Sequence, residues 1–537
     1  MRSTLLAALL TCAAFSSPSI AQTFSPERIR ADVAFLADDL LEGRATGTRG
    51  YDIAARYVAT RFEGIGLKPG GTDGWYQNIP FISAANDPAK PGALTLNGVR
   101  FENGNHVMVG PTIAAAVVDQ SAPAVFVGYG LEDKKYGLDD YRGLDVRGKI
   151  VVYLWGTPDG LPSEVAATLN DKKGELAVSK GAAGTISIAT PALLAIYPWE
   201  KVLANNALSR VRWVHPDGHA EDPTAPLKLN GMIDPTAAEK LFEGTQLAGK
   251  LQSMFADKKA RPKGFVLRNP VRVERYSVIE RTSSPNVVGI LEGSDPSLAG
   301  EMVMVSAHLD HIGIQPGRGA DRIANGAMDN AAGIATMLEA ARAFEGGARP
   351  KRSIAFVALT GEEKGLYGSE YLAKYPLPSR KLVATVNLDM PILTYDFTDV
   401  VALGAEHSTV GASVGRAAGQ MGVKLSPDPE PEQNNFVRSD HYSFVKEGVP
   451  AVSLETGWAN GGQAAVKAFL DAHYHDVSDD MSQKIDWNVA AKFAKLNYLI
   501  AKDLADGSDA PRWYAGDFFG DKFAAGQPKA SKGHAAP

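Results

Sequence analysis

Cysteine is nearly absent from this sequence. Cys12 is the only cysteine among 537 residues, and it falls in an N-terminal segment that we expect to be removed. A mature chain without thiols excludes disulfides, cysteine nucleophiles and thiolate zinc sites. Any metal ion would therefore have to be held by histidines and carboxylates.

Long apolar runs and an excess of positive charge are also lacking. The one long, mostly apolar run is LLAALLTCAAF at 5–15, which is too short to cross a membrane as a stable helix. We therefore expect no transmembrane segment. Lys and Arg number 55 against 61 Asp and Glu, a formal net charge of −6. This balance gives no support for nucleic-acid binding.

The N-terminus has the features of a secretory signal peptide. Arg2 supplies the positive start, the apolar run follows, and Ser19-Ile20-Ala21 offers a small-x-small cleavage pattern. We predict that residues 1–21 are removed and that the protein is exported, to the periplasm or to the surrounding medium. A buried N-terminal helix and a lipid anchor at Cys12 are the alternatives.

Length and local pattern divide the rest of the chain into parts. A chain of 537 residues suggests two or three domains. Helical spacing of apolar residues after Ser25-Pro26 and over 51–65 predicts two opening helices in an N-terminal part, 22–120. Short apolar strands among loops predict a mostly-β inserted domain over 121–280. Periodicity is lost near the C-terminus, where we predict a disordered tail over 511–537.

Strands alternate with helices over 285–510, the predicted main domain. A helix covers Ala331–Phe344, and the predicted strands are Met302–Ser306, Ser353–Leu359, Leu382–Asn387 and Ala451–Leu454. This alternation predicts an α/β fold with a mostly parallel sheet flanked by helices.

Charged residues follow these predicted strands. The segments are AHLDH at 307–311, MDN at 328–330, TGEE at 360–363, LD at 388–389 and HYHD at 473–476. In an open α/β sheet, groups at the carboxyl ends of neighbouring strands converge. So many unpaired charges would be very costly to bury, and a pair of metal ions would remove that cost. Imidazoles and carboxylates suit zinc, and one carboxylate can bridge two ions.

Each of these residues taken alone has a simpler explanation. His308 would suit a hydrogen-bonded core position, and Asp329 would suit a helix N-cap. Glu362 and Glu363 would suit a solvated helix start, and His475 would suit a surface loop. The metal-site hypothesis would be wrong only if all of these simpler explanations were true at once. The placement of the residues after successive strands argues against that coincidence.

In this order, the segments resemble those of peptidase family M28, the co-catalytic zinc peptidases of aminopeptidase type. The matching pieces are SAHLDH at 306–311, NGAMDNAAG at 325–333, GEE at 361–363, NLD at 387–389, and Tyr474-His475 with Asp479. The region DDYRGLDVRGKIV at 139–151 resembles a protease-associated domain. The resemblance covers nearly the whole mature chain and implies a zinc-dependent exopeptidase fold with that domain inserted.

The resemblance also implies a set of ligands for two Zn²⁺ ions. The first ion would be held by His308, Asp329 and Asp389. The second ion would be held by Asp329, Glu363 and His475. Asp329 would therefore bridge the two ions.

Three further roles follow from the resemblance. Glu362 would act as the general base and pass its proton to the leaving amine. Asp310 would orient His308 through the other ring nitrogen. Tyr474 would stabilise the oxyanion.

The implied reaction is the removal of N-terminal residues from peptide substrates. The alternatives are a carboxypeptidase of the same family, a glutaminyl-cyclase-like acyltransferase, and a receptor or scaffold that keeps the fold without activity. Because the expected ligand set is complete, hydrolysis is favoured over the last two. The sequence does not indicate an oligomeric state.

Overall fold

The computed structural model describes residues 23–532 apart from 207–208, 258, 316–318, 346 and 379. The predicted signal peptide and Cys12 lie outside the described residues. None of the described helices is long and apolar enough to cross a membrane.

The described residues form α-helices and β-strands that are numbered here in chain order. The helices are α1 (Pro26–Leu36), α2 (Arg49–Ile65), α3 (Ser163–Asp171), α4 (Lys173–Ser179), α5 (Pro191–Ile196), α6 (Trp199–Asn206), α7 (Pro235–Phe242), α8 (Leu251–Ala256), α9 (Gly333–Arg342), α10 (Tyr367–Lys374), α11 (Val410–Gln420), α12 (His441–Lys446), α13 (Gly462–Ala472), α14 (Trp487–Asp506) and α15 (Phe518–Phe523). The strands are β1 (Lys68–Pro69), β2 (Tyr76–Asn86), β3 (Ala93–Leu96), β4 (Val99–Glu102), β5 (Val107–Val109), β6 (Val117–Ala122), β7 (Ala124–Phe126), β8 (Glu132–Asp133), β9 (Leu138–Asp139), β10 (Ile150–Leu154), β11 (Gly184–Ile188), β12 (Arg210–Trp213), β13 (Leu229–Ile233), β14 (Phe265–Val266), β15 (Val271–Leu291), β16 (Glu301–His308), β17 (Gly313–Ile314), β18 (Ile323–Ala324), β19 (Ser353–Leu359), β20 (Lys381–Leu388), β21 (Asp399–Leu403), β22 (Lys424–Ser426) and β23 (Ala451–Thr456).

The two opening helices are confirmed. Ser25 caps α1, where its side chain accepts a hydrogen bond from the Arg28 amide at 3.2 Å, and Pro26 occupies the first helical position. Thr48 caps α2 in the same way, and α2 ends at Gly66 in the left-handed conformation.

The main sheet has four parallel strands at its centre. Its order is β12-β2-β15-β19-β16-β20-β23-β21-β22. The strands β19, β16, β20 and β23 run parallel, and the strands that adjoin them, β15 and β21, are antiparallel. Apolar residues of β16 alternate between two buried clusters, one on each face of the sheet. One cluster contains residues of α9 and α14, and the other contains residues of α10 and α12. The predicted α/β fold with helices flanking a largely parallel sheet is confirmed.

A second sheet lies in the inserted region, in the order β14-β7-β10-β11-β13-β5. Its strands β7, β10, β11 and β13 are also parallel. Helices α3 to α8 lie in the same part of the chain, so the region is α/β rather than mostly β as the sequence predicts. The short length of these helices leaves few turns in which a helical period can be recognised. Its identity as a protease-associated domain stays a prediction.

Strand β15 belongs to both parts of the molecule. Its first residues pair with β3 and β6, its middle pairs with β2, and its last residues pair with β19. The predicted boundaries at 280 and 285 therefore fall within one continuous strand.

The C-terminal segment is packed rather than disordered. Trp513 is 1% exposed and Phe519 is fully buried, and the Trp513 indole donates to the Gly448 carbonyl oxygen at 2.9 Å. The prediction of a disordered tail is wrong as far as residue 532, because isolated aromatic residues anchor this segment and leave no periodic signal. Residues 533–537 lie outside the described part.

Candidate metal centre

The central strands bring the predicted residues to one edge of the main sheet. Strand β16 ends at His308, which pairs in register with Leu359 at the end of β19. Glu362 and Glu363 follow β19, and Asp389 directly follows β20. Because these strands are parallel, their carboxyl ends meet at the same edge.

Two groups of donor atoms meet at Asp329. His308 Nε2 lies 3.2 Å from Asp329 Oδ1 and 3.0 Å from Asp389 Oδ1. His475 Nε2 lies 3.5 Å from Asp329 Oδ2 and 3.1 Å from Glu363 Oε2. The two carboxylate oxygens of Asp329 thus face two different imidazoles.

Asp479 holds the turn that carries Asp329. This turn, Ala327–Ala332, precedes α9 and is irregular at Asp329. The Asp479 carboxylate accepts hydrogen bonds from the Met328 amide at 2.9 Å and the Asp329 amide at 3.0 Å. A residue 150 positions away therefore sets the direction of the central carboxylate.

Asp310 lies beside His308, but its contacts differ from those predicted. The ring atom His308 Nδ1 lies 3.0 Å from the backbone oxygen of Asp310. The Asp310 carboxylate instead accepts from the amides of Glu362 at 3.2 Å and Glu363 at 3.4 Å. Thr46 also donates to it, at 2.9 Å. The residue therefore contacts His308 through its carbonyl group and the two glutamates through its side chain.

A chain of hydrogen bonds reaches Asp389 from the interior of the sheet. Ser306 Oγ donates to Asn387 Oδ1 at 2.8 Å, and Asn387 Nδ2 donates to Ser439 Oγ at 2.9 Å. Ser439 Oγ then donates to Asp389 Oδ2 at 2.6 Å. This leaves Asp389 Oδ1 for His308, so the orientation of the carboxylate is fixed.

Glu362 and Glu363 have different surroundings although they are adjacent. Glu362, with His308, Asp329, Asp389 and His475, lines a cavity of about 440 Å³. Burial raises the pKa of Glu362 well above its usual range, and the carboxylates of Asp389 and Glu363 raise it further. The Glu363 side chain is only 3% exposed and lies against imidazoles instead.

Tyr474 lies at the cavity wall. Its ring stacks on that of His475, with centroids 4.0 Å apart, and it is 38% exposed. Burial and then the carboxylates of Asp329 and Glu363 raise the pKa of its hydroxyl, so the hydroxyl keeps its proton and remains a donor at neutral pH.

Two residues that the sequence argument left without a role lie in this centre. His311 is fully buried, and its Nδ1 lies 2.7 Å from Glu363 Oε1. Arg44, also buried, donates to the backbone oxygens of Leu309 at 2.9 Å and Gly326 at 3.1 Å, and also to Leu36. The place of His311 in the AHLDH segment could have indicated that it belongs to the site. No pattern near Arg44 indicates that its side chain connects loops.

The donor set fits divalent metal ions. Donor atoms of His308, Asp329 and Asp389 lie within 4.8 Å of one another, as do those of His311, Asp329 and Glu363. Arg44 donates to backbone carbonyls, so it does not pair with the carboxylates. Buried carboxylates at such spacing need a cation, and imidazole with carboxylate oxygen is a donor set that zinc accepts.

Comparison with known proteins gives a match to one family model over part of the chain and several partial relatives. Residues 286–501 match the sequence model of Peptidase family M28. The chain is 27% identical over 278 residues to a probable zinc metalloprotease from Pyricularia oryzae, covering 44% of this chain and 54% of the relative. It is 28% identical over 224 residues to probable leucine aminopeptidase 2 from Aspergillus fumigatus, covering 38% of this chain and 41% of the relative. The chain therefore spans about half the length of the curated relatives it matches.

Among solved structures, the chain is similar to an aminopeptidase from Aneurinibacillus sp. strain AM-1. The TM-score is 0.53 at 17% sequence identity, and the match covers 91% of this chain and 95% of the other. At this identity the likeness concerns the fold.

Proposed function

We propose, from the match of residues 286–501 to the model of peptidase family M28, that the protein is an exported zinc aminopeptidase that removes N-terminal residues from peptides. The observation that carries the proposal is the position of Asp329. Its two oxygens lie 3.2 Å from His308 Nε2 and 3.5 Å from His475 Nε2. A single carboxylate between two imidazoles is the arrangement that a bridged pair of ions requires. The signal-like N-terminus supports export.

The proposed ligands divide into two sets that share Asp329. One Zn²⁺ would be held by His308, Asp329 and Asp389. The other would be held by Asp329, Glu363 and His475. Zinc bound there would polarise the scissile carbonyl and lower the pKa of a nearby water molecule.

Glu362 is the proposed general base. It lines the same cavity as the proposed ligands, where a carboxylate can first accept a proton and then release it. It would take the proton of the attacking water and deliver it to the leaving amine. The Asp310 carboxylate, bonded to the Glu362 and Glu363 amides, would keep the base and the adjacent ligand pointing in different directions.

Tyr474 is the proposed donor to the oxyanion. Its ring lies on the His475 ring, and its hydroxyl keeps its proton at neutral pH. A hydrogen bond to the oxygen of the tetrahedral intermediate would be worth most in the transition state, where the negative charge develops.

The charge of the cavity favours the amino end of a peptide. Apart from the proposed ligands and Glu362, its charged lining residues are the carboxylates Asp428, Glu430 and Asp471 and the cations Arg438 and Lys467. Glu455 also lines the cavity, but burial raises its pKa to about 8, so it is mostly neutral at pH 7. An excess of carboxylates attracts a terminal ammonium group and repels a terminal carboxylate. Arg438 is the observation that favours the second candidate, a carboxypeptidase, because a guanidinium can bind a carboxylate through two hydrogen bonds.

The test measures metal content and chain-end preference together. The purified mature protein would be analysed for zinc and assayed on Leu-Gly-Gly and on its N-acetylated form. We expect about two zinc ions per chain and cleavage of the free peptide only. Cleavage of the acetylated peptide from its C-terminus would replace the proposal with a carboxypeptidase. A protein without zinc or hydrolysis would overturn it.

A further inference from the structure

His311 is the one histidine of this centre to which the proposed mechanism gives no task. The side chain is completely buried. Its Nδ1 lies 2.7 Å from Glu363 Oε1, and the nearest oxygen of Asp329 is farther away, at 3.9 Å. Its polar contact is therefore with Glu363.

The two oxygens of Glu363 face two different imidazoles. Oε1 lies 2.7 Å from His311 Nδ1, and Oε2 lies 3.1 Å from His475 Nε2. An ionised carboxylate only accepts hydrogen bonds, so the short contact on Oε1 requires a proton on His311 Nδ1. Oε2 is thereby left for the position that it shares with His475.

From this division of the carboxylate we propose that His311 is a positioning residue, which donates from Nδ1 to Glu363 Oε1 and so directs Glu363 Oε2 toward the second zinc position. The inference rests on the proposed function, because it assumes that a metal ion occupies that position.

The surroundings of His311 hold the ring in place for this task. The His311 amide donates to the Arg44 carbonyl oxygen at 3.3 Å. Gly326 approaches the ring so closely that a Cβ there would lie 2.6 Å from His311 Cγ. Within the part of the chain that the structure describes, His311 Nε2 is buried without a hydrogen-bond partner, so the contact with Glu363 determines which nitrogen carries the proton.

A competing role for His311 is that of a metal ligand. Donor atoms of His311, Asp329 and Glu363 lie within 4.8 Å of one another. The two roles need opposite states of Nδ1, because a ligand nitrogen must be free of its proton and a donor must carry it. Substitution by asparagine distinguishes the two roles of His311. The asparagine NH₂ group can donate a hydrogen bond from a similar position, but asparagine is a poor replacement for imidazole as a zinc ligand.

The experiment compares His311→Asn, His311→Phe and His311→Ala with the wild-type protein. Zinc per chain after dialysis and zinc affinity in competition with a chelator would be measured, with the visible spectrum of the cobalt-substituted protein and the melting temperature. Loss of an outer partner of a ligand typically costs about 10–100-fold in metal affinity. We expect that loss for one of the two ions in the Phe and Ala variants, and near wild-type affinity in the Asn variant.

Each other outcome has a defined meaning. Equal loss in the Asn, Phe and Ala variants would overturn the positioning role in favour of direct ligation. Wild-type affinity in all three would overturn both roles. If the Phe variant does not fold, the Ala variant, which introduces no bulk, carries the comparison. His219→Phe is the control, because His219 is exposed. A wild-type protein that binds no zinc would defeat the proposed function itself, which is a different result.

Discussion

The two sheets of this molecule share a parallel core but differ at its carboxyl edge. In the main sheet, β16 ends at His308, and Glu362 and Asp389 follow the two neighbouring strands. In the inserted sheet, β10 is followed by Trp155 and β11 by Ala189. Parallel topology therefore creates a converging edge in both places, and the residue types at the strand ends decide whether that edge can hold metal ions.

The charges that do occur near the inserted edge are satisfied by the protein itself. Asp234, after β13, accepts from the Ala237 amide at 2.8 Å and caps α7. Lys173 is buried, and its ammonium group donates to the carbonyl oxygens of Leu154, at 2.8 Å, and Gly156. These residues need no ion, whereas the carboxylates of Asp329, Glu363 and Asp389 converge on imidazoles at the edge of the main sheet.

The most severe test of this comparison replaces the central aspartate of the candidate metal centre and the aspartate that follows a strand of the inserted sheet. Asp329→Asn removes the charge shared by both proposed ion positions, so we expect zinc binding to be lost and activity to fall by more than about 100-fold. Zinc analysis and a peptide assay would measure this. The matched Asp234→Asn variant should keep its zinc and its activity. Similar losses in both variants would mean that the two edges are not functionally different.

Removal of the proposed base should have the next largest effect. Glu362→Gln keeps the shape of the side chain but cannot accept the proton, so kcat should fall by about 10²–10⁴-fold. Zinc content should stay unchanged, because Glu362 is not a proposed ligand. Steady-state kinetics and metal analysis would be compared with Glu432→Gln, on an exposed turn. Wild-type kcat in the Glu362 variant would refute the assignment.

A smaller effect is expected where a hydrogen bond supports a ligand. Ser439→Ala removes the donor that lies 2.6 Å from Asp389 Oδ2, and we expect zinc affinity to fall by about 10-fold. A chelator competition assay would measure it. Ser443→Ala is the control, because Ser443 bonds to Ser369 at 3.0 Å and not to a proposed ligand. Equal affinities in the two variants would show that the chain from Ser306 to Asp389 does not tune the site.

The smallest effect should appear in the inserted sheet and in stability alone. Burial lowers the pKa of Lys173 to about 7, against about 10.4 in an unfolded chain. Between these pH values the unfolded chain binds the extra proton, so the wild-type protein should gain stability as the pH rises from 7 to 10. Lys173→Met should flatten this rise in melting temperature and leave peptide hydrolysis unchanged. An unchanged pH dependence would indicate that Lys173 titrates normally.

The sequence predicted the parts of the centre that depend on strand ends. His308 ends β16, Asp389 directly follows β20, and Glu363 lies four residues after the end of β19, so topology brings them together. The contacts of Asp310 were not predictable in the same way, because they depend on which of its groups the loop turns toward His308. The same holds for His311, whose partner Glu363 is 52 positions away.

Other errors have a common physical cause. Arg44 braces loops that lie more than 260 positions farther along the chain, and no local pattern announces such a contact. Helices of six to nine residues in the inserted region are too short to establish a period. Trp513 and Phe519 anchor the C-terminal segment by tertiary packing alone, which composition cannot indicate.

Strand β15 has a consequence for the order in which the molecule assembles. Its middle pairs with β2, about 200 residues earlier in the chain. At roughly 5–20 residues per second, β2 would wait on the order of ten to forty seconds for its partner, while the whole insertion is being made. Vectorial synthesis would thus give the inserted sheet its strands before the main sheet has any of its four parallel ones. The edge that carries the candidate metal centre would be completed only after His475 and Asp479 have been made, close to the end of the chain.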